Sequence, residues 1–128
     1  MRERPLSPHL GVYRFAYTMA TSIFHRITGG ALSVGLLLLV YWLMAAADGP
    51  EAYDSAMEVL MSGFGKLVIA GFVIAFAYHF CNGIRHLNWD LGRGLERAEA
   101  RRSARTVVVA TILIAAIILW WAFGGGAA

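Results

Sequence analysis

His79, Asn82, Gly83 and His86 recur at i, i+3, i+4 and i+7, a spacing that places all four on one stripe of a helix. Ser22, His25, Arg26 and Gly29 repeat the same spacing earlier in the chain. Both stripes fall in or beside long apolar runs, where an ionisable side chain is costly to insert and marks a candidate functional site. Two readings compete for His79, the deepest of these groups. It could bond a carbonyl or hydroxyl of a neighbouring helix, or its imidazole could ligate a haem iron. Gly83 favours the second, because a helical turn without a side chain lets a flat macrocycle lie across it.

By the helical rise, His79 lies about 10 Å deeper than the Arg85-His86 boundary. At that shallower level His25, Arg26 and one or both of Arg85 and His86 gather donors and positive charge. That is about one haem radius from the iron ligand, where propionate carboxylates would be met. The other reading of the arginines is snorkelling to lipid headgroups. Two axial imidazoles must reach one iron at one depth, whereas His25 and His86 are expected about 10 Å shallower than His79 and His9 outside the membrane altogether. The second histidine of a bis-histidine haem is therefore expected from another chain. No Cys-x-x-Cys-His run occurs, so the haem would be held non-covalently. Cys81 is the single cysteine; it lies in an apolar span and reads as a small hydrophobe.

The elements that must position these residues follow from composition. With 59% apolar and 15% charged residues among 128, the chain is too apolar for a soluble fold of its size. It reads as one domain, 1–128, an all-α membrane protein with transmembrane helices at about 22–47, 64–88 and 106–124 and a charged connection at 89–105. Each span is long enough for the ~30 Å hydrocarbon core, the third only just. The continuous apolar runs lack the period-2 alternation of a membrane barrel strand. A cleaved signal peptide fits poorly, because the first apolar stretch exceeds the usual ~7–15-residue signal core.

The net charge of +3 does not point to nucleic acid, since the basic residues follow the positive-inside rule. Arg2, Arg4, Arg14 and Arg26 precede the first span, and Arg85, Arg93, Arg97, Arg101, Arg102 and Arg105 fill the connection between the second and third. The connection from Asp48 to Gly63 carries Asp48, Glu51, Asp54 and Glu58 without Lys or Arg. The N-terminus is expected in the cytoplasm and the C-terminus, with its Gly124–Gly126 tail, in the periplasm. The lead Arg4-Pro5-Leu6-Ser7-Pro8-His9-Leu10 should run extended or turned. Thr18 or Thr21 could cap the first helix. Gly29, Gly30, Ser33 and Gly35 give that helix a small-residue surface for another backbone or a flat cofactor. Gly92-Arg93-Gly94 should break the chain before a short charged helix in water, from Glu96 to Arg105.

Taken together, the lead Arg4–Leu10, the run Ser22-Ile23-Phe24-His25-Arg26-Ile27-Thr28-Gly29, and His79 followed by Asn82-Gly83-Ile84-Arg85-His86-Leu87 and Trp89-Asp90-Leu91-Gly92 resemble the cytochrome b large anchor subunit of succinate dehydrogenase. The resemblance covers the whole chain, with three motifs in order and spacing. It implies that His79 is one axial ligand of haem b, the other coming from the small membrane-anchor subunit, with which the helices would pack into a bundle. It implies that His25, Arg26 and His86 lie near the haem propionates, and that Ser22 and Arg26 line a ubiquinone pocket; spacing alone would not have given quinone. The implied partners are a flavoprotein, an iron–sulfur subunit, the small anchor subunit and membrane lipid. The chain would act as a subunit of succinate:quinone oxidoreductase, with no complete active site of its own. The alternatives are the anchor of a fumarate reductase, or a haem-free membrane anchor or small transporter subunit. The lead lacks an Arg- and Ser-rich transit peptide, so a bacterial inner membrane is expected rather than a mitochondrial one.

Overall fold

The structure is a computed structural model that describes residues 17–125; the lead with Arg4–Leu10 and His9, and the last three residues, lie outside the described residues. Four helices follow in order: α1 (Tyr17–Asp48), α2 (Pro50–Leu60), α3 (Gly63–Asp90) and α4 (Arg97–Phe123). Three of them, α1, α3 and α4, are long and apolar enough to cross a membrane. They run alternately up and down, so the start of α1, the end of α3 and the start of α4 gather at one arginine-rich end, and α2 sits at the opposite, acidic end.

Local sequence explains the boundaries. Gly49 at φ 115° turns the chain out of α1, and Pro50 opens α2, where a missing N–H costs nothing. Ser62 caps α3 by accepting from the Gly65 N–H at 3.0 Å. Gly92 and Gly94, both at φ 72°, end α3, and the indole N–H of Trp89 donates to the Gly94 carbonyl at 3.0 Å to close that turn.

Three differences from the sequence reading bear on the site. First, α1 is already helical at Tyr17, so Thr18 and Thr21 stand inside it and not at its cap. Second, the charged stretch from Arg97 to Arg105 is no separate element but the first turns of α4, continuous with its apolar remainder. Third, the acidic connection contains α2, which turns Ala56 and Leu60 inward and leaves Glu51, Asp54 and Glu58 exposed.

The interior is thin. Its fully buried members are mostly small, such as Ala77, Ala104 and Ala115, while Leu37, Leu67, Ile117 and Trp120 are each 66–71% exposed. In water such surface would be untenable; against lipid tails it is the ordinary outside of a membrane bundle, whose helices approach through small residues. Gly35 is one such point: a Cβ there would stand 2.7 Å from the Phe72 ring. At the acidic end Trp42 of α1 packs on Tyr53 of α2, and the Lys66 ammonium lies over the Phe123 ring.

Candidate functional site

The two histidine stripes meet. The His25 ring stacks on His79 with centroids 4.1 Å apart and planes within 10°, and on His86 at 4.8 Å. His86 in turn meets the Trp89 ring edge-on at 5.0 Å. His25 thus lies between two imidazoles that are two turns apart on α3. The expectation that His25 stands about 10 Å shallower than His79 is overturned. It took Arg26 as the membrane boundary of its helix, but α1 extends more than two turns before Arg26, and the helices pair with His79 against the turn His25–Thr28.

Of the two competing readings of His79, the bond to a neighbouring helix engages only one nitrogen of the ring. Its Nδ1 lies 3.2 Å from the His25 carbonyl oxygen and 3.3 Å from Thr28 Oγ1, so the bond to a neighbouring helix is made. A Cβ on Gly29 would come within 3.0 Å of His79 Cε1, so this glycine is the seat of the imidazole. Gly83, expected to clear space beside His79, has nothing within 4 Å of where its Cβ would be. Its side of α3 is open.

Buried polar atoms test what else belongs here. His25 Nδ1 and His86 Nε2 are buried with no hydrogen-bond partner among the described residues. Each such group costs roughly 1–3 kcal/mol, so a native site is expected to supply a partner. Among the described residues no three His, Cys, Asp or Glu side chains converge on a point suited to a bare metal ion. The three imidazoles stack face to face instead. Axial ligands of one iron present ring edges from opposite sides, so His25 as placed is no second ligand to His79. The expectation of a histidine from another chain, first argued from depth, would then rest on ring orientation. The donor set fits a haem held by one imidazole here and met by imidazole N–H groups at its rim.

Arg85 behaves differently from the snorkelling arginine and from the propionate rim that were weighed for it. It is buried, and its guanidinium donates to neutral acceptors on three helices: Thr21 Oγ1 of α1 at 3.2 Å, Asn82 Oδ1 of α3 at 3.2 Å, and Ser103 Oγ and the Ala100 carbonyl of α4, both at 3.0 Å. Its cationic carbon lies 4.1 Å from the centre of the Trp89 ring. Tyr78 adds a second tie, donating to the Thr21 carbonyl at 2.7 Å. Asn82, completely buried, keeps one loose end at Nδ2. Arg85 therefore clamps the arginine-rich end together and is not part of the histidine stripe.

Ser22 is half-buried and Arg26 exposed, on the flank of α1 beside His25. The structure brings His25, His79 and His86 together and leaves Ser22 and Arg26 at the open edge of that cluster. Thr21, Thr28, Tyr78 and Ser103 were not singled out from sequence as site residues. For Thr28 the signal was present, since a hydroxyl three residues after His25 and a glycine four after it both flank the His25 carbonyl.

Comparison with known proteins gives the cluster a context. A family described as succinate dehydrogenase/fumarate reductase transmembrane subunit matches residues 1–119. The chain is similar to the succinate dehydrogenase cytochrome b556 subunit of Paracoccus denitrificans, 43% identical over 106 residues that cover 83% of this chain and 82% of that one. It is 40% identical over 93 residues to the cytochrome b556 subunit of Rickettsia typhi, covering 72% and 71%. It is also 41% identical over 109 residues to the human mitochondrial cytochrome b560 subunit, covering 84% of this chain and 64% of that longer one.

Proposed function

Because the chain belongs to the succinate dehydrogenase/fumarate reductase transmembrane subunit family, we propose that it serves as the cytochrome b anchor of a succinate dehydrogenase, holding haem b with a partner subunit and forming one wall of a ubiquinone-reduction site. The observation that carries this reading is the meeting of the stripe Ser22–Gly29 with His79–His86, where buried imidazole nitrogens lack partners beside an open flank at Gly83. The Arg85 cluster, by contrast, makes four side-chain hydrogen bonds and leaves one amide nitrogen, Asn82 Nδ2, unpartnered.

His79 is the axial ligand. His25 and His86, with Arg26, meet the propionates: imidazole N–H groups and a guanidinium are suited to carboxylates. When bound, the haem supplies a place to hold or share one electron near the quinone. Ser22 donates to a quinone carbonyl, and Arg26, exposed beside it, polarises that carbonyl and steadies negative charge as the quinone is reduced. Ser22 is half-buried and Arg26 exposed in the chain alone, so the pocket is completed by other subunits: a flavoprotein that oxidises succinate, an iron–sulfur subunit that passes the electrons on, and a small anchor that adds the second haem ligand.

The charge asymmetry supports the orientation. The arginine-rich end, which holds the cluster, faces the cytoplasm, with the N-terminus inside and the C-terminus in the periplasm of a bacterial inner membrane. A visible spectrum of the purified complex tests the cofactor, because no b-type absorption on reduction would leave only a haem-free anchor. Turnover restored with ubiquinone, and not with a low-potential quinone, separates succinate oxidation from an anchor of fumarate reduction.

A further inference from the structure

We propose that Thr28 and the backbone carbonyl of His25 are positioning groups that hold the His79 imidazole in its Nδ1–H tautomer and so reserve the Nε2 lone pair for the iron, a step that rests on the reading of His79 as haem ligand. The assignment comes from asking which partner has a hydrogen to give. The His25 carbonyl, 3.2 Å from Nδ1, can only accept. Thr28 Oγ1, 3.3 Å from Nδ1, has a single hydrogen, and that oxygen also lies 2.8 Å from the Phe24 carbonyl and 3.0 Å from the His25 carbonyl. Both of those are acceptors, so the hydroxyl hydrogen is committed to its own helix, and Oγ1 faces His79 with lone pairs. Every partner of Nδ1 therefore demands a hydrogen there, shared in a three-centre arrangement. With the hydrogen on Nε2 instead, a lone pair would face two acceptors.

The sequence His25-x-x-Thr28-Gly29 builds this cradle within one turn. A helical carbonyl at position i lies between the side chains of i+3 and i+4. Here i+3 adds a second acceptor, and i+4 has no side chain, so the ring can reach the carbonyl; a Cβ at Gly29 would press on His79 Cε1 at 3.0 Å. The His25 ring stacks on the face of His79, so it does not itself stand in the ring plane where a bond from Nε2 would lie. An imidazole whose Nδ1–H is bonded to acceptors is a more basic ligand, and this outer hydrogen bond is one of the levers that set a haem's reduction potential.

The test is a redox titration of the b-type absorption, with haem content measured in parallel, on the purified complex carrying Thr28→Val or Thr28→Ser. Valine keeps the shape and removes the acceptor; serine keeps the acceptor. The expected result is parental haem content in both, a midpoint potential shifted positive in Thr28→Val, and a parental potential in Thr28→Ser. Should Thr28→Val not assemble, Thr28→Ala, a strong helix former, makes the same comparison with the same expectation. Equal potentials in the acceptor-less and parental complexes overturn the inference, as does a serine variant that shifts with valine. His79→Ala separates the two levels of the argument. Haem lost there with no potential shift in Thr28→Val defeats the positioning role alone; haem fully retained there defeats the ligand reading beneath it.

Discussion

Two polar clusters share the arginine-rich half of this bundle, both touching Trp89, and they are built on opposite plans. Around Arg85 four hydrogen bonds to three helices satisfy nearly every group, with a tryptophan face for the remaining charge. Around His25 the rings stack, and buried nitrogens of His25 and His86 are left without partners. Ionisable groups inside a membrane bundle are equally costly in either place, so the difference lies in what each cluster is for. A network that ties three helices with all but one of its groups partnered holds helices together. One that ends in unpartnered ring nitrogens beside an open flank is what the proposed cofactor would complete.

The strongest way to break this comparison is His79→Ala. It should abolish or nearly abolish the b-type absorption of the purified complex while the subunits remain assembled, and a parental spectrum would mean that the open cluster is as structural as the closed one. Arg85→Leu should do the reverse. Removing the donor to two hydroxyls, an amide oxygen and a carbonyl, partly offset by sparing the burial of a charge, is expected to destabilise by roughly 2–4 kcal/mol. Thermal denaturation should register this as a lowered midpoint with little change in haem per complex; haem loss without loss of stability would move Arg85 into the binding cluster.

A smaller effect belongs to Ser22→Ala, which removes about 1 kcal/mol of hydrogen bonding and should slow quinone reduction about fivefold. Haem content and turnover with an artificial dye acceptor should stay parental, and a dye rate that falls equally would make Ser22 a packing residue. The smallest change sharpens the closed cluster. Asn82→Asp replaces the unpartnered Nδ2 with an oxygen and gives Arg85 a carboxylate, so stability should rise by about 1 kcal/mol or less. A fall would reveal that the amide N–H has a partner in the assembled complex.

The open cluster was legible in the sequence because it is periodic: one spacing, repeated on two helices, named the residues that meet. The closed cluster was not: the spacing named Asn82 but grouped it with the histidines, and its partners come from separate helices with no shared spacing. Arg85 looks like any boundary arginine until Thr21 and Ser103 are seen beside it. Depth failed for a related reason. Helical rise fixes distances along one helix, but the relative slide of α1 against α3 is set by side chains such as His79 seating on Gly29 and Phe72 closing on Gly35. The hydrophobic runs announced three long helices, yet they understated α4, whose charged turns carry no apolar signal and are helical all the same.

That continuity of α4 has a mechanical consequence. From Arg97 to Phe123 the helix has no break, and Ser103, on the turns that carry the arginines, is one of the atoms gripping Arg85. A load placed on the exposed arginines meets no hinge before it reaches that grip, and Arg85 passes it to Thr21, one turn from His25. The start of α4 is built as a strut and not as a tether, joined through Arg85 to the turn of α1 that precedes His25.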